Sequence, residues 1–340
     1  MKNTHLEHPE DLILTGDMSV LDWFTHKGKV SIKWDGAPAI VFGTDPETGK
    51  FFVGTKSVFN KKKIKINYSH ELIDANHEGK VADILHVAFD CLPRIKGIVQ
   101  GDFNGFGGDD TYRPNTITYK FDNIIKQQFI IACHTSYSGD NLRDVVASFD
   151  VPELISNDKV YFVKFGAQVD PTANVALQRK VCSAMFLSAA VDFVTEKQAK
   201  DLKIVLNRYI REGKDIDPAA LAEETGYDVA LFAFYRMIMS IKQDFMHLIV
   251  SEYGVECYID GQIADHEGYV MSNDYGTLKL VNRQVFSFNN FNLAKAWWPI
   301  SNTDRSGVDF GADPFYHYKV IDRNTHVGRN CWHARRNLRH

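Results

Sequence analysis

Lys33 and Asp35 stand two residues apart in Val30-Ser31-Ile32-Lys33-Trp34-Asp35-Gly36. The two-residue period of a strand puts Val30, Ile32 and Trp34 on one face and Ser31, Lys33 and Asp35 on the other. An amine and a carboxylate therefore face the same way just before Gly36, where the backbone is free to approach a ligand. A lysine amine is a nucleophile only when neutral, and at an ordinary pKa of about 10.4 it is almost wholly protonated at neutral pH. Burial or a second cation lowers that value, so a second lysine in the same pocket is the expected companion. Lys279 qualifies, in Thr277-Leu278-Lys279-Leu280-Val281-Asn282-Arg283. Alternation puts Arg283 on its face, so that both cations could meet phosphate oxygens. Upstream lies Glu267, directly before Gly268. A carboxylate there could hold a divalent cation against the same phosphates, because hard cations take oxygen ligands.

The elements that must carry these residues are legible in part. Val30–Trp34, Ala39–Phe42, Phe51–Gly54, Ile98–Phe103 and Phe129–Cys133 read as short strands punctuated by glycine, asparagine and aspartate. Asp45-Pro46 and Thr48-Gly49 mark a hairpin between two of them. From about 175 to 250 apolar residues recur at three- and four-residue steps, and Asp217-Pro218 makes an N-cap with a first-turn proline. Strand patterns resume at Tyr258–Ala264, Gly268–Met271 and Thr277–Val281. The expected class is α+β: a mostly antiparallel sheet core over 1–175 and 253–290, a helical insertion or lobe over 176–252, and a tail over 291–340.

Of the 340 residues, 44% are hydrophobic and 24% charged, which suits a folded chain and not a disordered one. No apolar run reaches the length of a membrane span, and the start lacks the apolar core of a signal peptide. The five cysteines are scattered without a C-x-x-C pair, which fits a reducing cytoplasm. A net charge of −4 argues against a nonspecific nucleic-acid coat but leaves room for local basic surface. The tail supplies some: Lys319, Arg323, Arg329, Arg335, Arg336 and Arg339 are opposed after 315 only by Asp322.

The order K-x-D-G, then Gly101-Asp102, then Glu267-Gly268-Tyr269-Val270, then an apolar-flanked Lys279 resembles motifs I, III, IV and V of the covalent nucleotidyltransferases. These are ATP-dependent RNA and DNA ligases and GTP-dependent mRNA capping enzymes. The block Lys33-Trp34-Asp35-Gly36-Ala37-Pro38-Ala39, with Gln100-Gly101-Asp102 and Pro114-Asn115-Thr116-Ile117, looks like an uncharacterised tailed-phage family with the same core. The resemblance spans about 30 to 283.

It implies that Lys33 attacks the α-phosphate of ATP to form lysyl-AMP, with Asp35 and Lys279 as further catalytic residues and Gly36 as a nucleotide contact. Glu267 would bind Mg²⁺ or Mn²⁺, and Lys279 would hold the α-phosphate and depress the pKa of Lys33, with Arg283 one strand period further on. Asp102 stands where the superfamily has a ribose-binding glutamate. Cys133 and His134 occupy the slots of the usual base-stacking aromatic and aspartate, so Phe129 or Phe103 is expected to take over stacking. Lys56, at a position similar to motif Ia, is a candidate phosphate contact. The implied activity is joining of 5′-phosphate and 3′-hydroxyl ends, RNA before DNA, in a host cytoplasm, with no membrane and no obligate protein partner. RNA is favoured because the 61 residues after Lys279 show too few strand-like runs for an OB domain. A DNA ligase, a capping-type guanylyltransferase and an inactive nucleotide- or nucleic-acid-binding relative are the alternatives.

Other features have plainer readings. Lys61-Lys62-Lys63 and Lys65 read as a solvated loop or an edge guard, with a nucleic-acid contact second. His70, His77, His134 and His266 show no metal-ligand spacing and default to polar surface or hydrogen-bonding roles. Phe286, Phe288, Phe291, Trp297 and Trp298 read as core packing beneath the tail.

Overall fold

The computed structural model describes residues 6–252 and 254–292. They form three β-sheets and nine α-helices, an α+β arrangement in which all strand pairs but one are antiparallel. The first sheet runs Val250–Ser251, Gly166–Gln168, Lys29–Lys33, Gly268–Asn273, Gly276–Val281. The second runs Phe51–Gly54, Ala39–Thr44, Ile98–Gly105, Phe129–Ser138, Val146–Ser148. Its one parallel addition is Val160–Phe162 beside the start of Phe129–Ser138. A third, smaller sheet is Gln262–Ala264, Glu256–Ile259, Thr118–Lys120, Thr111–Tyr112.

The expected hairpin forms. Asp45 Oδ1 accepts from Glu47 N, and its Oδ2 accepts from Thr48 Oγ1 and from Tyr68 OH at 2.5 Å, which closes the turn between Ala39–Thr44 and Phe51–Gly54. Helices also occupy the expected stretch: Val175–Leu187, Glu196–Arg211, Pro218–Thr225 and Val229–Met246. Asp217 caps the third through Ala219 N and Ala220 N, and Thr195 with Gln198 makes a capping box on the second. None of the described helices is long and apolar enough to cross a membrane.

Two expectations need correcting. The stretch before 175 is not only strands, for His70–Asn76 and Gly79–Cys91 are helices. Ala82, Ile84, Leu85, Val87, Ala88 and Cys91 form the buried face of the second helix, a helical period set against the second sheet. The run Tyr258–Ala264 is also broken. Asp260 and Gly261, both at positive φ, make a two-residue turn between Glu256–Ile259 and Gln262–Ala264.

A buried ionic junction fastens the helical part to the first sheet. Lys242 Nζ lies 2.6 Å from Glu10 Oε1, and Arg283 reaches Asp11 Oδ1 at 2.9 Å and Tyr235 OH at 3.0 Å. The four charged side chains are at most 7% exposed. The backbone N–H of Lys279 donates to Glu7 O, so the segment carrying Glu10 and Asp11 also lies along the edge strand that bears Lys279. Phe286 joins the main core. Trp297, Trp298, the basic residues of 319–339 and any OB domain after 292 fall outside the described residues.

Candidate active site

Lys29–Lys33 is the middle strand of the first sheet. Val30 and Ile32 turn into the core, while Ser31 and Lys33 face a cleft of about 540 Å³, as alternation requires. Lys33 pairs in register with Gly268, which brings Glu267 beside it; the Lys33 Nζ to Glu267 Oε1 distance is 2.5 Å. Gly268 has φ +155°, and a Cβ there would stand 1.9 Å from Leu280 O, so only glycine lets its strand close on the neighbouring edge strand Gly276–Val281 at this point. Ser31, Val270 and Lys279 lie in one row across the same sheet, and all three line the cleft.

The opposite wall belongs to Ile98–Gly105 and Phe129–Ser138. Gln100 pairs with Thr135 and Gly101 with Cys133, which leaves His134 as the extra residue of a β-bulge. A bulge re-aims a side chain; here His134 Nε2 comes within 3.6 Å of Asp102 Oδ1 and 3.5 Å of Gln100 Nε2. Tyr137 OH donates to Gln100 Oε1 at 2.8 Å. Lys56 and Asn60 enter the cleft from a single helical turn, Lys56–Phe59, capped by the Thr55 hydroxyl. Lys61, Lys62 and Lys63 follow, all exposed.

The electrostatics follow from this packing. Burial pulls the Lys33 ammonium down, but the charge and hydrogen bond of Glu267, with Asp102 and Asp35 behind it, outweigh burial and hold Lys33 above its ordinary value. Burial pushes Glu267 up to about 7 against the pull of Lys33. Burial, and then Lys33, lower Lys279. Burial raises Asp102, but His134, followed by Lys33 and Lys56, brings it below the ordinary carboxylate value. The expected direction is thus reversed at the expected nucleophile: Glu267 holds Lys33 above its ordinary value, and Lys279 is the depressed amine.

Lys33, Lys56, Asp102 and Lys279 meet in this cleft, with Glu267 against Lys33. Five other candidates do not. Asp35 is 5% exposed, and its carboxylate accepts from Asn115 Nδ2, Thr116 N and Ile117 N at 2.7–3.0 Å. It anchors the 115–117 loop beneath the site. Gly36 packs against protein and not a ligand, since a Cβ there would meet Asp102 Cβ and Phe103 O at 2.9 Å. Phe129 and Phe103 are fully buried against one another, so neither ring can stack on a base. Arg283 spends its guanidinium on the buried junction, with Asn207 as a third partner at 2.6 Å, and does not reach the cleft.

Histidine 266 is not surface. Its ring lies edge-on to Trp34, 5.1 Å between centroids, and burial lowers its pKa to about 4. Tyr137 and Phe59 also line the cleft without a sequence signal, and Gln100 has one only within the Gln100-Gly101-Asp102 block. The bulge, invisible in single-sequence alternation, carries the signal for His134.

Among the described residues no group of three or more histidine, cysteine, aspartate or glutamate side chains is placed to hold a metal. Glu267, the carboxylate expected to hold a metal, is 8% exposed and meets the cleft only through its pairing with Lys33. The chain matches, over residues 3–226 and 219–295, the family described as "Family of unknown function (DUF6267)", and it belongs to that family. No curated protein and no solved structure matches it.

Proposed function

We propose that the cleft carries out covalent nucleotidyl transfer, and that the protein is an ATP-dependent polynucleotide ligase with RNA ends as the preferred substrate. The observation that carries this reading is convergence: residues 33, 56, 102 and 279, far apart in the chain, line one cleft, with Glu267 paired to Lys33, in the charge pattern a nucleoside triphosphate needs. Lys33, Lys56 and Lys279 supply positive charge for phosphates, and Asp102 supplies an acceptor for ribose hydroxyls.

In the first step the neutral Lys33 amine attacks the α-phosphorus of ATP. A P–N bond forms, the bond from the α-phosphorus to the bridging oxygen breaks, and pyrophosphate leaves with the electron pair. The ammonium gives up one proton before attack and a second on forming the phosphoramidate. Lys279 stabilises the charge gathering on the α-phosphate oxygens. A bound Mg²⁺, held by Glu267, would neutralise phosphate charge and compete with Lys33 for that carboxylate. AMP then passes to a 5′-phosphate, and a 3′-hydroxyl displaces it to join the ends. The preference for RNA rests on the sequence after Lys279 alone.

One observation favours a second reading. The Lys33–Glu267 pair holds the amine protonated, as in a binding relative that forms no adduct. Incubation with labelled ATP or GTP and Mg²⁺, followed by denaturing electrophoresis, separates the cases. Label retained from ATP supports the ligase, label from GTP alone a capping-type enzyme, and no retained label the inactive relative.

A further inference from the structure

The cleft is graded along its length. At one end stand Lys33 and Glu267; from there Asp102, His134, Gln100 and Tyr137 follow in a chain of side-chain contacts of 3.6, 3.5 and 2.8 Å. At the far end the Tyr137 ring meets Phe59, with centroids 4.6 Å apart and planes inclined by 44°. Both rings line the cleft, and both are backed by the buried cluster of Val41, Phe52, Val58 and Ile98. They are therefore held in place without being sealed in, unlike Phe129 and Phe103.

The hydrogen bond at this end has a direction. Tyr137 OH donates to Gln100 Oε1, which fixes the amide and leaves its Nε2 hydrogens on the His134 side. Gln100 offers donors, and Tyr137 and Phe59 offer π faces. A polyphosphate alone uses neither π face; a flat heterocycle with ring nitrogen or carbonyl acceptors uses both.

We propose that Tyr137 and Phe59 form the stacking platform, and Gln100 the edge contact, for the base of a nucleoside 5′-polyphosphate whose phosphates lie at Lys33 and Lys279. The inference rests on the nucleotide reading above and identifies the residues that select the base in place of the aromatic missing at Cys133. Such stacking makes ATP bind more tightly than a ligand with the same phosphates and no base.

Equilibrium binding of ATP and of inorganic tripolyphosphate to the full chain tests this. The wild type is expected to prefer ATP. Tyr137→Ala and Phe59→Ala should each weaken ATP by roughly 5- to 150-fold, the usual range for a lost base–aromatic stack, and leave tripolyphosphate unchanged. Tyr137→Phe keeps the ring and loses only the amide-fixing bond, so its loss should be smaller than that of Tyr137→Ala. Phe59 and Tyr137 lie on different elements, so one variant remains informative if the other fails to fold. If ATP and tripolyphosphate bind the wild type equally, or the alanine variants keep full ATP affinity, the platform is wrong while the phosphate end stands. If neither ligand binds, the nucleotide reading itself fails.

Discussion

Lys33 Nζ and Glu267 Oε1 are 2.5 Å apart, brought together by the register that sets Lys33 opposite Gly268. The side chains are 32% and 9% exposed, so the pair sits at the wall of the cleft and is not a solvated surface contact. Glu267, and not a neighbouring lysine, therefore sets the protonation of the proposed nucleophile in the resting protein.

The pH dependence of adduct formation should report this. Glu267→Gln removes the charge that raises Lys33 and leaves the burial that lowers it, so the rising limb should move to lower pH. Lys279→Ala should leave that limb in place. Each variant should lower the rate by about 10²–10³-fold through lost charge stabilisation. Rate profiles from pH 5 to 10 check this; a shift toward higher pH in Lys279→Ala alone would restore the role first expected for Lys279.

Asp35 is assigned to the fold and not to the chemistry. Removing its carboxylate strands three donors from Asn115, Thr116 and Ile117. Hydrogen bonds to a charged group contribute about 1.5–3 kcal/mol each. Asp35→Ala should therefore lower unfolding free energy by at least about 3 kcal/mol in denaturant titration. Unchanged stability with lost activity would return Asp35 to the catalytic group.

The buried junction makes a separate stability claim. Lys242→Met leaves Glu10 with its nearest cation gone, and breaking such a pair typically costs about 3–5 kcal/mol. Adding Glu10→Leu should recover much of the loss, because the uncompensated buried charge is gone. A double-mutant cycle by thermal or denaturant unfolding measures the coupling, and simple additivity of the two losses would contradict it.

Asp45 gives a stability signal with acid. Burial raises its carboxyl, but the Tyr68 hydroxyl and the donors of Glu47 and Thr48 outweigh this and hold it below the ordinary value. Its contribution is thus present above an unfolded pKa of about 3.9 and fades as pH falls through the lower folded value. Asp45→Asn should flatten the acid side of the stability curve; a curve of unchanged slope between pH 5 and 2 would show that the turn does not depend on this charge.

The sequence carries the site better than it carries the site's surroundings. Alternation along Val30–Trp34 faces Lys33 toward the cleft because that strand is regular and one side is core. The same rule misassigns Asp35, which lies two residues past the strand's end and turns toward the 115–117 loop. Arg283 fails similarly, since Gly276–Val281 ends before it and its face is no longer set by the strand. His134 depends on a bulge, which an alternation count cannot contain. The helix Gly79–Cys91 was legible, with Ile84, Leu85, Val87, Ala88 and Cys91 in helical phase, yet the surrounding strand signals masked it. The cleft's two walls come from different sheets, and a local pattern does not say which sheets will face each other.

The central claim is that Lys33 becomes covalently adenylylated. The most direct measurement is mass spectrometry of the intact chain and its peptides after exposure to ATP and Mg²⁺. The expected result is a gain of one AMP moiety, localised to the peptide bearing Lys33, reversed by added pyrophosphate and absent in a folded Lys33→Ala variant. An AMP gain on a different residue, or an equal gain in Lys33→Ala, would contradict it, as would an unmodified wild-type chain that binds ATP at this cleft.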